Sequence, residues 1–159
     1  VLVPERSDKD EYLTRLAEFI HSLNNVEKVL YASNSRKARE VLYAGKTART
    51  QVGRYYGDAH KNDTNNDADA YRHTLWNIFS TVMVGSEFTT YYTMAHEYGW
   101  LSNLDIEYIQ GTYMDLYNNG IGRMLGLGAS DAAAIAEAKN AVHSGQLLRI
   151  VNGQLVKTD

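Results

Sequence analysis

The stretch Asp63-Thr64-Asn65-Asn66-Asp67-Ala68-Asp69-Ala70-Tyr71-Arg72-His73-Thr74-Leu75-Trp76-Asn77 changes character halfway along. Its first half is crowded with turn-forming acids and amides. From Asp67 onward the spacing is helical, and Asp69, His73 and Asn77 fall four residues apart, on nearly one face. Leu75, Ile78, Phe79 and Val82 share this helix, so a segment that must face a core also presents a carboxylate, an imidazole and an amide. Such a cluster has little packing value and marks a site. Asn66 or Asp67 caps the helix, Asp69 lies in its first turn, and Gly85 closes it after Val84.

Working outward, the neighbours also read as helices. Ser7 starts one, with Asp8, Asp10 and Glu11 in the first turn and Leu13, Leu16, Phe19, Ile20 and Leu23 on its apolar side. Asn24-Asn25 is the expected stop, followed by a short helical turn from Val26 to Ala32. From Ser35 to Tyr56 the inward set is Ala38, Val41, Leu42, Ala48, Val52 and Tyr55, and Gly57 ends the helix. Beyond the central helix, Ser86 or Glu87 to Tyr98 forms another, and Ser102 caps a segment that carries Leu104, Ile106, Ile109, Tyr113, Leu116 and Tyr117. That segment ends in Asn118-Asn119-Gly120-Ile121-Gly122-Arg123, where two glycines imply a break or a close helix approach. Ser130 caps an alanine-rich helix from Asp131 to Ser144. Asn152-Gly153, between Leu148–Val151 and Gln154–Val156, is a two-residue hairpin turn. The expected architecture is mainly α: one domain over 1–159, a bundle of about six helices within 7–145, and a small C-terminal β-hairpin within 147–158.

Composition narrows the function. At 159 residues the chain can bury a core without staples, and with no cysteine it has neither disulfides nor thiolate metal sites. A net charge of −3 argues against a uniformly basic nucleic-acid binder. No window is long and apolar enough to be a transmembrane segment, and no signal peptide opens the chain. The start at Val1 reads as a mature or excised domain. The one strongly basic element is Ser35 to Tyr56, where Arg36, Lys37, Arg39, Lys46, Arg49 and Arg54 face a single acid, Glu40. It is either a solvated face or a contact for an anionic substrate or membrane surface, expected to border the site.

Three polar constellations interrupt apolar helices: Asp69-Arg72-His73-Asn77, His96-Glu97, and Asp115-Asn118-Asn119-Arg123. Helix bundles build catalytic and metal sites from such facing side chains. His73, His96, Asp115 and Arg72 are the catalytic candidates, with His73, His96 and Asp115 expected in one pocket. Asp69, Glu97, His73, His96 and Asp115 are candidate ligands for a divalent metal. Imidazole with carboxylate suits zinc, whereas the oxygen-rich loop of Asp63, Asp67 and Asp69 suits calcium or magnesium. Arg123, Asn77 and Asn119 are candidates for holding substrate. A metal-free alternative makes His73 a general base oriented by Asp69 or Asp115. Trp76 reads as a core anchor, His60 as a spare candidate, and His21 and His143 as incidental. No Walker loop, His-Glu-x-x-His, Gly-x-Ser-x-Gly or EF-hand spacing is present.

Asp69-Ala70-Tyr71-Arg72-His73-Thr74-Leu75-Trp76-Asn77, then His96-Glu97, then Met114-Asp115-Leu116-Tyr117-Asn118-Asn119-Gly120-Ile121-Gly122-Arg123 resemble the signature of a poorly characterised bacterial family. Its members occur as C-terminal modules of large secreted or surface proteins, toxin-like ones included. The resemblance covers about residues 60 to 126. It implies an all-α toxin or effector module, secreted or delivered by a bacterial secretion system, with Arg72, His73, Asn77, His96, Glu97, Asp115 and Asn119 in its site and an immunity protein as a partner. It implies no particular reaction.

The resulting expectation is a hydrolase of an anionic, phosphate-containing substrate, with a phospholipid or lipid-linked cell-wall precursor ahead of nucleic acid. The alternatives are a non-enzymatic binding module whose polar network is a buried lock, and a nuclease that uses the basic helix as a phosphate track.

Overall fold

A computed structural model describes residues 22–98 and 105–159. Six helices and one hairpin make up the described chain: α1 (Asn25–Ser33), α2 (Ser35–Tyr56), a 3-10 turn (Asp58–His60), α3 (Asp67–Val84), α4 (Ser86–Tyr98), α5 (Ile106–Gly126), α6 (Asp131–His143), β1 (Leu148–Val151) and β2 (Gln154–Lys157). The expected helix from Ser7 and the cap at Ser102 lie outside the described residues. The chain is non-helical from 22 to 24, where a stop was expected, but the short helical turn expected from Val26 to Ala32 is part of a longer helix. Asn24 is the N-cap of α1, in a reciprocal capping box with Glu27, so Val26 to Ala32 belongs to a full helix with its own start.

The caps are local chemistry. Side chains of Asn34, Asn66, Asp105 and Ser130 accept from otherwise orphaned first-turn N–H groups. The long central helix α3 is buried nearly all round, from Ala68 to Thr81, which explains its weak amphipathicity. Val41, Ala44, Ala48 and Val52 of α2 pack on it from one side and Ala134, Ala138, Ala141 and Val142 of α6 from another. Trp76 anchors this packing as expected, its indole N–H donating to the Val41 carbonyl at 2.8 Å. Tyr55 is exposed at the rim rather than inward, with its hydroxyl 2.6 Å from His143 Nε2.

A third neighbour of α3 is α5, and here Gly122 decides the geometry. A Cβ at this position would lie 2.4 Å from the Thr74 carbonyl oxygen, so only glycine admits this approach. Of the two alternatives expected at these glycines, the close approach holds and the break does not occur, since α5 runs unbroken to Gly126.

The hairpin turn has φ of 52° at Asn152 and 74° at Gly153, the two left-handed residues that a type I′ turn needs. Leu148 pairs with Lys157 and Val151 with Gln154. Strand β1 also ties two helices together. Leu148 exchanges both backbone hydrogen bonds with the Asn118 side chain on α5, and Ile150 N–H donates to the Asn65 carbonyl at 2.7 Å, ahead of α3. No described helix is long and apolar enough to cross a membrane.

Candidate metal centre

Close approach of α3 and α5 brings Asp69 and His73 against Asp115. His73 Nε2 is 3.4 Å from Asp69 Oδ1 and 3.5 Å from Asp115 Oδ1, and all three donor atoms lie within 4.8 Å of one another. Ions coordinated at about 2.0–2.2 Å in tetrahedral or octahedral geometry separate adjacent donors by about 3.0–3.5 Å, so the spacing fits one ion.

The hydrogen bonds behind His73 settle its tautomer. The amide nitrogen of Asn77 donates to the His73 carbonyl at 2.9 Å, which fixes which end of that amide is nitrogen. The same nitrogen lies 2.7 Å from Asn119 Oδ1, which must therefore be an acceptor. Since His73 Nδ1 is 3.0 Å from this acceptor, Nδ1 carries the proton. Nε2 then directs a lone pair at two carboxylate oxygens unless a proton or a cation lies between them. Asp115 Oδ1 is a buried atom with no hydrogen-bond partner among the described residues. A buried acceptor of this kind is costly to leave unpaired, and a bound cation satisfies it.

Charge follows from this crowding. Burial opposes a charged His73, but Asp115, Glu97 and Asp69 together overcome it and raise its affinity for a proton above that of a free imidazole. Burial, with Asp69 and Glu97 nearby, also pushes the Asp115 carboxyl up, to about 7, despite the pull of His73. The ion-free centre therefore retains protons near neutrality.

Asp69 is held at both oxygens, one accepting from Asn65 N–H at 2.6 Å and the other from Arg72. Arg72 also donates to the carbonyls of Lys61 and Asp63, so its guanidinium fastens the preceding loop to α3. Beside the centre is a cavity of about 440 Å³, lined by Asp69, Arg72, His96, Glu97, Asp115, Tyr108 and others. Asp105 and Glu107 add to the lining, making five carboxylates against one arginine among the described residues.

The structure thus gathers most of the expected residues and separates their positions. His73 and Asp115 touch, and His96 lines the cavity that Asp115 also lines, outside the three-residue donor group. Glu97 Oε1 is 3.6 Å from His73 Nδ1 and accepts from Asn119, also outside that group. Asn77 and Asn119 are fully buried and turn their amides to His73 and each other, not to the cavity. Arg123 lies behind them, donating to Asn77 Oδ1 and Thr93 Oγ1 and made less basic by burial. The loop acids do not converge as expected. Asp63 pairs with His60 at 2.7 Å and Asp67 with Arg149 at 3.0 Å, leaving only Asp69 at the centre. The basic helix also fails to border it: no α2 residue is among the described residues lining the cavity, and Arg36, Lys37 and Glu40 line a separate one with Met83 and Val84.

One residue escaped the sequence reading. Glu27 is buried, with Oε1 2.8 Å from His96 Nδ1. Its capping box is legible in Asn24 and Glu27, but its other oxygen serves a ring on another helix.

Fold and site define a mainly helical domain with a buried carboxylate–imidazole group of metal-binding spacing. The chain belongs to the family described as "Domain of unknown function (DUF6973)", whose model matches residues 28–146. No curated protein and no solved structure matches it.

Proposed function

We propose that this domain is a metal-assisted hydrolase of a phosphate-containing, anionic substrate, held by bacteria as a secreted or secretion-delivered effector. The observation that carries the catalytic part is that His73 Nε2 faces two carboxylate oxygens at 3.4 and 3.5 Å, one of them without a hydrogen-bond partner among the described residues. An anion does not enter a cavity with this excess of carboxylates unless a cation changes its sign. Arg72 cannot do so alone, being committed to Asp69 and two carbonyls. A divalent ion on Asp69, His73 and Asp115 would supply that charge and lower the pKa of water for attack. Zinc or another transition metal suits this mixed donor set, with magnesium and calcium as weaker fits.

The chain's own residues divide the remaining work. Asn119 and Asn77 fix the His73 ring, Glu97 holds Asn119 in turn, and Arg72 holds the loop that carries Asn65 against Asp69. The order of substrates remains phospholipid or lipid-linked cell-wall precursor before nucleic acid, because the basic helix needed as a phosphate track does not line the cavity. The effector setting and an immunity partner rest on the resemblance alone.

A non-enzymatic binding module is the second reading, favoured by the completeness of the Asn77–Asn119–Arg123–Thr93 network. Element-resolved metal analysis of the purified protein, followed by hydrolysis assays on phospholipids, lipid-linked precursors and nucleic acid, separates the two. The hydrolase reading expects one bound ion per chain and turnover lost in Asp115→Asn. Absence of metal uptake from Zn²⁺, Mn²⁺, Mg²⁺ and Ca²⁺ alike overturns it.

A further inference from the structure

The imidazole of His96 is held more firmly than its half-exposed position requires. Glu27 divides its carboxylate, with Oε2 accepting Asn24 N–H at 2.8 Å and Oε1 lying 2.8 Å from His96 Nδ1. Asn24 completes the mooring by donating from its amide to the carbonyl of Ala95, the residue before His96, at 2.8 Å. On another side Trp76 meets the ring edge to face, with centroids 5.3 Å apart and planes at 82°. A carboxylate acceptor places the proton on Nδ1 and the lone pair on Nε2. His96 lines the cavity and Glu27 does not, so Nε2 is the nitrogen left to the cavity.

We propose that His96 Nε2 is the acid–base group of this site and that Glu27 is its positioning residue. The inference rests on the hydrolytic reading above and assigns separate duties: Asp69, His73 and Asp115 hold the ion, and His96 moves protons. In the step, a water oxygen bonds to the substrate phosphorus while the bond from phosphorus to the leaving oxygen breaks. The water's proton passes to Nε2 and is then delivered to the leaving oxygen, so the ring ends as it began. Glu27 touches no substrate. Its charge balances the transient imidazolium and its two hydrogen bonds keep the ring from turning.

The test combines nitrogen-15 NMR of the imidazoles, Mn²⁺ titration, and hydrolysis of bis(4-nitrophenyl) phosphate with Mn²⁺ present. His96→Ala assigns the ring's resonances. The wild type is expected to show the Nδ1–H form of His96. In Glu27→Ala that form is lost and kcat falls about 10–100-fold at unchanged KM, with Mn²⁺ affinity retained. In His96→Ala kcat falls about 10²–10⁴-fold, again with Mn²⁺ affinity retained. Should Glu27→Ala fail to fold, the wild-type tautomer and the half-exposed His96→Ala carry the test. An Nε2–H tautomer in the wild type, full kcat in His96→Ala, or Mn²⁺ binding weakened about tenfold or more by that change overturns the proposal. A wild type that takes up none of Zn²⁺, Mn²⁺, Mg²⁺ and Ca²⁺, or cleaves no phosphoester with any of them, overturns the hydrolytic reading and the proton-transfer step with it, while the tautomer still decides whether Glu27 sets the ring.

Discussion

Asp115→Asn should make the ion-free protein more stable and the ion-loaded protein unattainable. In the fold this carboxyl keeps its proton up to about pH 7, against 3.8 for an ordinary aspartate. The folded state thus binds more protons across that window, so stability falls as pH rises through it. At about 1.36 kcal/mol for each pH unit, the full cost above pH 7 is on the order of 4 kcal/mol. The pull of His73 is already contained in that value, but a buried amide has polar atoms of its own to satisfy, so the net relief from an isosteric amide is about 1–3 kcal/mol. For a chain of this size that raises Tm by about 2–12 °C. Thermal melting in chelator, at pH 5 and pH 8, measures it. The variant's advantage should widen from the lower pH to the higher. In saturating Zn²⁺ or Mn²⁺ the order reverses: at about 1,000-fold over Kd the wild type gains about 4.1 kcal/mol and the variant gains little. A variant less stable than wild type at pH 8 in chelator, or one that keeps the metal-induced shift, refutes the reasoning.

Three further outcomes are expected. His73→Ala should abolish metal uptake and destabilise the ion-free protein by about 2–4 kcal/mol, because it leaves three carboxylates together without their imidazole. A raised imidazole contributes stability that is complete below pH 6.5 and lost as pH climbs through its folded value, so the deficit by melting should be larger at pH 6 than at pH 9. Gly122→Ala should cost about 1–3 kcal/mol by denaturant titration, since its Cβ would strike the Thr74 carbonyl; an unchanged midpoint would show that α3 and α5 part freely. Asn118→Ala should cost about 1–3 kcal/mol in melting, because two backbone groups of Leu148 lose their partners, and should weaken metal binding through the adjacent Asn119.

Much of the fold was legible because its signals are local. Gly57, Gly85 and Asn152-Gly153 punctuate the chain through backbone conformation, and the apolar spacing of α2 and α6 names their buried faces. The Asp69–His73 pair was equally legible, being one turn of one helix. That Asp115 completes it depends on Gly122 letting α5 settle on α3, a tertiary fact to which the polar residues on an otherwise apolar helix and the glycine pointed without giving the contact. Acid density misled at Asp63 and Asp67, because nearness along a loop is not convergence in space and each acid found a partner of its own, His60 and Arg149. The basic run on α2 misled for a related reason: amphipathic spacing says which residues face outward but not what lies beside them. Glu27 was invisible as a site residue because a capping box accounts for only one of its oxygens.

The double tie made by β1 has a consequence for the order of events at the ribosome. Synthesis delivers α3 and α5 first, yet Asn118 on one and Asn65 beside the other acquire their partners only when Leu148 and Ile150 emerge. A nascent chain halted after α6 already has the apolar core except Leu147 but lacks the bond from Ile150 that ties down the loop beside Asp69. Cation capture by a tethered nascent chain should therefore lag behind its protease resistance, and the interval between the two is the time taken to translate the hairpin.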